Sequence, residues 1–164
     1  MSLIRSQFPG LGGLCASGAV MFLEPFPLPQ PPRFIQIINR ATPMSLSDMS
    51  AYHATGGSHW LTVSNIFAKE PEEVVVYDSN YSTISSSTRA LLRKLYANYG
   101  DFKVRHERVQ KQTDTTSCGK WAIAYAFDLA LGHDPRRQRY DFGRMADHLV
   151  SAFETATVSR FPRL

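Results

Sequence analysis

The chain has 164 residues, 43% of them hydrophobic and 20% charged, with a formal net charge of +4 and an isoelectric point near 9.2. That is length enough for a single domain with its own core, and the composition is globular rather than disordered or fibrous. No apolar run reaches a membrane span, the start lacks the basic-then-apolar pattern of a secretory signal, and two cysteines make no disulfide framework. These features lead us to expect a monomer in a reducing intracellular compartment, nucleus or cytoplasm, without membrane contact.

In chain order, Leu3-Ile4-Arg5 reads as the end of a helix whose start is missing. Pro9, Gly10, Gly12 and Gly13 then signal turns. Pro25, Pro27, Pro29, Pro31 and Pro32 predict an extended connector in polyproline geometry. Residues 1–33 are therefore expected to be an N-terminal extension and 34–160 the core. Phe34 to Ile38 is the first predicted strand, and residues 39–58 form a long polar loop. His59 to Phe67 is a second strand, residues 69–73 a charged turn, and Glu73 to Tyr77 a third strand. The unbroken valines of that third strand predict burial on both faces.

Residues 85–88 supply hydroxyl caps for a helix through Asn98, with Leu91, Leu92, Leu95, Tyr96 and Tyr99 as its apolar stripe and Gly100 as its stop. Residues 102–109 alternate as a half-buried strand. A last helix over 141–154 is expected to bury Phe142, Met145, Leu149 and Phe153. The basic run Arg136, Arg137 and Arg139 reads as solvated surface rather than a nucleic-acid face.

The segment Gln112-Thr113-Asp114-Thr115-Thr116-Ser117-Cys118-Gly119-Lys120-Trp121 carries the chemistry. Thr115, Thr116 and Ser117 offer N-cap oxygens, and Trp121, Ala122, Tyr125 and Leu129 follow on one helical face until Gly132. Cys118 thus falls in the first helical turn, where unpaired backbone N–H groups and the helix dipole favour a thiolate, the nucleophilic form. His59 opens one strand and Asp78 closes the next. Two antiparallel strands joined by a turn bring those two to the same sheet edge, where a helix packed on the sheet can present Cys118.

With His59-Trp60, Tyr77-Asp78-Ser79 and Gln112 through Cys118-Gly119 in this order, the chain resembles the ubiquitin-like-protein proteases, papain-like cysteine peptidases that mature and remove SUMO-type modifiers. The resemblance extends to stand-alone, mobile-element-associated copies of this domain, through Ser6-Gln7-Phe8-Pro9, Asp147-His148-Leu149 and Phe161-Pro162. It implies an α+β fold, a small mixed or antiparallel sheet flanked by helices. It also implies a Cys-His-Asp triad of Cys118, His59 and Asp78, with Gln112 as oxyanion donor beside the Cys118 backbone N–H. Trp60 and Gly119 would line the path of a Gly-Gly-like tail, and neither metal nor organic cofactor is implied. The expected substrate is a ubiquitin-like protein or its conjugate. The segment before His59 departs from the deconjugating pattern in having no Trp; Phe34 and Tyr52 are its aromatics.

Alternatives stay open at this level. Gln110 competes with Gln112, and Asn80 with Asp78. The same triad serves acyltransferases. A catalytically weak module holding a ubiquitin-like protein or nucleic acid is the third reading. Cys15, His53, His106, His133 and His148 lack any comparable context and read as structural or surface residues.

Overall fold

In the β-rich middle of the chain the sequence pattern and the structure agree most closely. Glu73–Tyr77 is a strand buried along its whole length, as its valine run requires. The computed structural model describes residues 1–16, 25, 33–40 and 59–164. Most of the proline connector and of the long loop, with Tyr52 and His53, lies outside them.

Among the described residues five strands form one mixed sheet in chain order: β1 (Gly12–Gly13), β2 (Phe34–Asn39), β3 (Trp60–Ser64), β4 (Glu73–Tyr77) and β5 (Lys103–Glu107). β2, β3 and β4 pair antiparallel, while β1 joins β2 and β5 joins β4 in parallel. The second strand is shorter than the expected 59–67. It ends at Ser64, and the next residue, Asn65, turns its side-chain oxygen back to accept from the Phe34 N–H at 2.9 Å. β1 is a pair of glycines with no strand signal. Gly13 is fixed by space, because a Cβ there would lie 2.4 Å from the Ile35 carbonyl oxygen at a φ of +70°.

Helices cover both faces. On one, α2 (Ser86–Leu95) buries Leu91, Leu92 and Leu95 with Tyr96 against Phe34, Ile38, Leu61, Val63, Val74 and Val76. Ser85 caps it by accepting from the Thr88 N–H, as expected, and a short 3₁₀ turn (Ala97–Tyr99) carries the chain to Gly100 at φ +72°. On the other face α3 (Cys118–Ala130) packs over Ile35, Ile37, Val75 and Tyr77. The Thr62 hydroxyl pins it to β3 by donating to the Ala122 carbonyl at 2.7 Å. α3 is buried nearly all round, so its sequence shows more than one apolar stripe.

At the N-terminus α1 (Ser2–Gln7) is a short helix with Ile4 buried. A 3₁₀ turn (Phe142–Arg144) precedes α4 (Met145–Glu154). Here the expected buried face needs correction. Met145 and Ala152 are the buried residues, Leu149 is partly covered, and Phe153 is 64% exposed. Residues 158–163 return to α3: Arg163 donates to Asp128 at 2.7 Å, and the Tyr140 hydroxyl takes the other carboxylate oxygen at 2.5 Å.

Candidate active site

The antiparallel register of β3 and β4 decides the site. Thr62 lies opposite Tyr77, so the residue just before β3 and the residue just after β4 meet at one edge of the sheet. These are His59 and Asp78, 2% and 1% exposed, joined by a 2.7 Å hydrogen bond between His59 Nε2 and Asp78 Oδ1. A carboxylate only accepts, so Nε2 carries a proton, and in the neutral ring Nδ1 then keeps the lone pair. That is the tautomer a general base requires.

Asp78 is held as a carboxylate. Burial pushes its pKa up, but the His59 hydrogen bond and the backbone N–H groups of Asn80 (2.8 Å) and Tyr81 (2.9 Å) outweigh it, and the group titrates below the ordinary range. Asn80 thus contributes its backbone and leaves the imidazole to Asp78. The pair is also covered. The Tyr81 ring meets the His59 imidazole edge-on at 5.1 Å, and the Arg40 guanidinium lies over the Tyr81 ring, 3.7 Å from its centroid. Arg40 Nη1 reaches within 3.9 Å of Asp78 Oδ2. Neither Arg40 nor Tyr81 carries a motif signal in the sequence; Tyr81 is recognisable only afterwards, as the end of the turn that Asp78 opens.

Cys118 begins α3 and is 9% exposed. Its helix start differs from the expectation in one respect. Ser117 occupies the N-cap position but does not cap; its hydroxyl accepts from Trp121 Nε1 at 3.1 Å. The loop is organised instead by Asp114, whose Oδ1 accepts from the Thr116 and Ser117 N–H groups at 3.0 and 2.8 Å. Among the described residues no hydrogen bond joins the Cys118 thiol to His59.

Gln112 is fastened beside the pair. Its backbone N–H donates to the Ser79 carbonyl (2.9 Å), its side-chain oxygen accepts from the Ser79 hydroxyl (2.6 Å), and one amide hydrogen goes to the Asp114 carbonyl (2.7 Å). Among the described residues the second amide hydrogen has no partner. Gln110 gives both ends of its amide to the Tyr140 backbone, a structural use. Trp60 and Gly119 face each other across a small apolar cavity of about 290 Å³ shared with Met1, Ile37 and Ile123. A Cβ on Gly119 would sit 3.7 Å from Trp60 Cδ1, an ordinary contact. Trp121 is core, stacked on Phe142. Cys15 and Cys118 are both free thiols.

A mixed sheet with a helix opening on cysteine packed over one face, and a His–Asp pair at the adjoining strand ends, defines the papain-like cysteine-peptidase fold. The chain shares this fold with the SUMO protease Ulp1. It superposes on the C-terminal Ulp1 protease domain, solved in complex with Smt3, the yeast ortholog of SUMO, with a TM-score of 0.64 at 13% identity over 97% of this chain and 74% of that one. Ulp1 with its catalytic cysteine oxidised to a sulfonic acid matches at TM-score 0.63 and 15% identity, over 96% and 75% of the two chains. The sulfenic-acid form of the same enzyme matches at 0.63 and 13%, over 96% and 75%. No family model and no curated protein matches the chain.

Proposed function

We propose that the protein is a cysteine peptidase that hydrolyses the bond following a Gly-Gly-like tail of a ubiquitin-like protein. The observation that carries this reading is the buried 2.7 Å His59–Asp78 hydrogen bond at the sheet edge beside a helix that begins with Cys118. Ulp1, which shares the fold, is a SUMO protease with a catalytic cysteine, and that supports the substrate class.

In this reading His59 Nδ1 takes the Cys118 proton and the thiolate attacks the scissile carbonyl. The tetrahedral oxyanion is met by the Cys118 backbone N–H and the free amide hydrogen of Gln112, a donor of the kind worth about 3 kcal/mol. Asp78 fixes the ring and stabilises the imidazolium, which then protonates the leaving amine. Water, deprotonated by His59, attacks the thioester and releases the tail as a carboxylate with the free thiol. Trp60 and Gly119 line the tail's approach.

The deciding experiment exposes the protein to a panel of ubiquitin-like proteins carrying a C-terminal thiol-reactive electrophile, with adducts read by mass spectrometry. One modifier should label the wild type and leave Cys118→Ala unlabelled, with His59→Ala slowed strongly. An unlabelled protein whose Cys118 reacts with iodoacetamide no faster than a free thiol would end the peptidase reading.

A further inference from the structure

β5 does more than close the sheet. Its parallel register with β4 sets His106 beside Val76 and Glu107 beside Tyr77, so the two neighbours point to opposite faces. Glu107 is neutralised on its own side by Arg105 and Arg136. His106 instead opens, with Ser82, Arg108, Val109 and Lys111, onto a cavity of about 560 Å³. Arg108 and Lys111 therefore converge on a lining that contains no acid, and burial holds the His106 pKa below the ordinary imidazole value, so its ring stands there as a hydrogen-bonding group. Among the described residues Arg108 is exposed and forms no ion pair.

The pocket is tied to the candidate active site. Lys111 Nζ donates to the carbonyls of Asp78 (3.1 Å) and Tyr81 (2.6 Å), and His106 Nε2 donates to the same Tyr81 carbonyl at 3.0 Å. The residue after Lys111 is Gln112. Along the sheet edge the apolar Trp60–Gly119 cavity lies on the β2–β3 side and this basic cavity on the β5 side, with His59 and Asp78 between. His106 shares the α2 face with Val76, whereas the Trp60–Gly119 cavity opens, through Ile37, on the α3 face, so a segment held in the basic cavity is a part of the substrate other than the tail beside Trp60.

We propose that the His106–Arg108–Lys111 pocket is a specificity subsite that binds a carboxylate-rich segment of the protein substrate on the far side of the scissile bond. That the occupant is substrate rests on the peptidase reading; that it is acidic rests on the pocket alone. Its size exceeds that of a single small anion, and its lining has no Phe, Tyr or Trp ring on which a base could stack.

Two measurements separate the two claims. Fluorescence anisotropy with labelled hexaglutamate, hexalysine and hexauridylate reads the pocket without catalysis. Hexaglutamate should bind best, weakening at least tenfold in Arg108→Glu/His106→Gln and in the milder Arg108→Gln by a smaller factor, with melting temperatures unchanged. Cleavage of fusions bearing either a Glu-rich or a Gly/Ser segment after the scissile bond reads the subsite. The wild type should favour the Glu-rich fusion through KM, and the double variant should lose the preference with kcat on the Gly/Ser fusion intact. Hexaglutamate binding indifferent to both variants, or hexauridylate bound more tightly at the same residues, would overturn the acidic-peptide pocket. Variant-sensitive hexaglutamate binding in a protein that no electrophile labels would retain the pocket and reject its place in a peptidase.

Discussion

Gly119 and Asp78 illustrate two kinds of side-chain requirement. Nothing in the free protein forbids a methyl group at Gly119, since its Cβ would meet only Trp60 at 3.7 Å. Gly119→Ala should therefore fold as well as the wild type, gaining up to about 1 kcal/mol from helix propensity. Iodoacetamide should still reach Cys118, while labelling by a ubiquitin-like electrophile drops at least tenfold because the tail loses its passage. Equal labelling of both proteins would remove Gly119 from the substrate path. Asp78 serves the fold apart from any role in the proposed reaction. Its pKa lies below the unfolded value of about 3.9, so its contribution to stability is complete above that value and is lost as pH falls through the folded pKa. Asp78→Asn should cost roughly 1–3 kcal/mol in urea denaturation at pH 7. The gap to wild type should close as the pH is lowered toward 3, and a gap independent of pH would show that the charge is not what the site retains.

At the scale of elements, α3 depends on two side-chain anchors outside it. Thr62→Val keeps the shape and removes the hydrogen bond to the Ala122 carbonyl, with an expected cost of about 1 kcal/mol. Urea denaturation checks the value, and no change would mean that helix packing alone holds α3. Asp114→Ala removes the acceptor that shapes the turn before Cys118, so it should slow electrophile labelling more than it lowers stability. This anchor was not readable in advance. Thr115, Thr116 and Ser117 all qualify as caps by residue type, and only the folded loop shows that Ser117 serves Trp121 while Asp114 organises the backbone. The valine run of β4, the capping serine of α2 and the His59–Asp78 pairing were legible because each follows from local periodicity or from a hairpin's geometry. Phe153 was not, because a 3.6-residue period identifies an apolar face without saying how far its neighbours extend. β1 was equally hidden, since two glycines carry no strand signal and its pairing is set by the chain around it.

For the whole molecule the C-terminal return is the main long-range tie. Asp128 is fully buried in α3, and burial raises its pKa against the opposing pull of Tyr140 and Arg163. Removing Arg163 leaves that carboxylate without its cation, so Arg163→Ala should destabilise by about 3–5 kcal/mol at neutral pH. The raised folded pKa means that the native state takes up a proton more readily than the unfolded chain. The variant's deficit should therefore shrink as pH falls from 8 to 5, and thermal denaturation at several pH values reads this directly. A deficit independent of pH over this range would show that Asp128 is already neutral in the wild type. Tyr140 and Arg163 are ordinary residues in sequence, and nothing but the return of the chain brings them to Asp128.

The strands enter the sheet in the order in which they are synthesised, and the exposed joint at Gly100–Asp101 falls between the two halves of the candidate site. Everything N-terminal to it holds the His59–Asp78 pair; everything C-terminal holds Gln112 and Cys118. The molecule is thus divisible into two polypeptides whose reunion would rebuild the β4–β5 seam and, in the proposed reaction, return the thiol to its base, so that reactivity itself becomes the readout of reassembly.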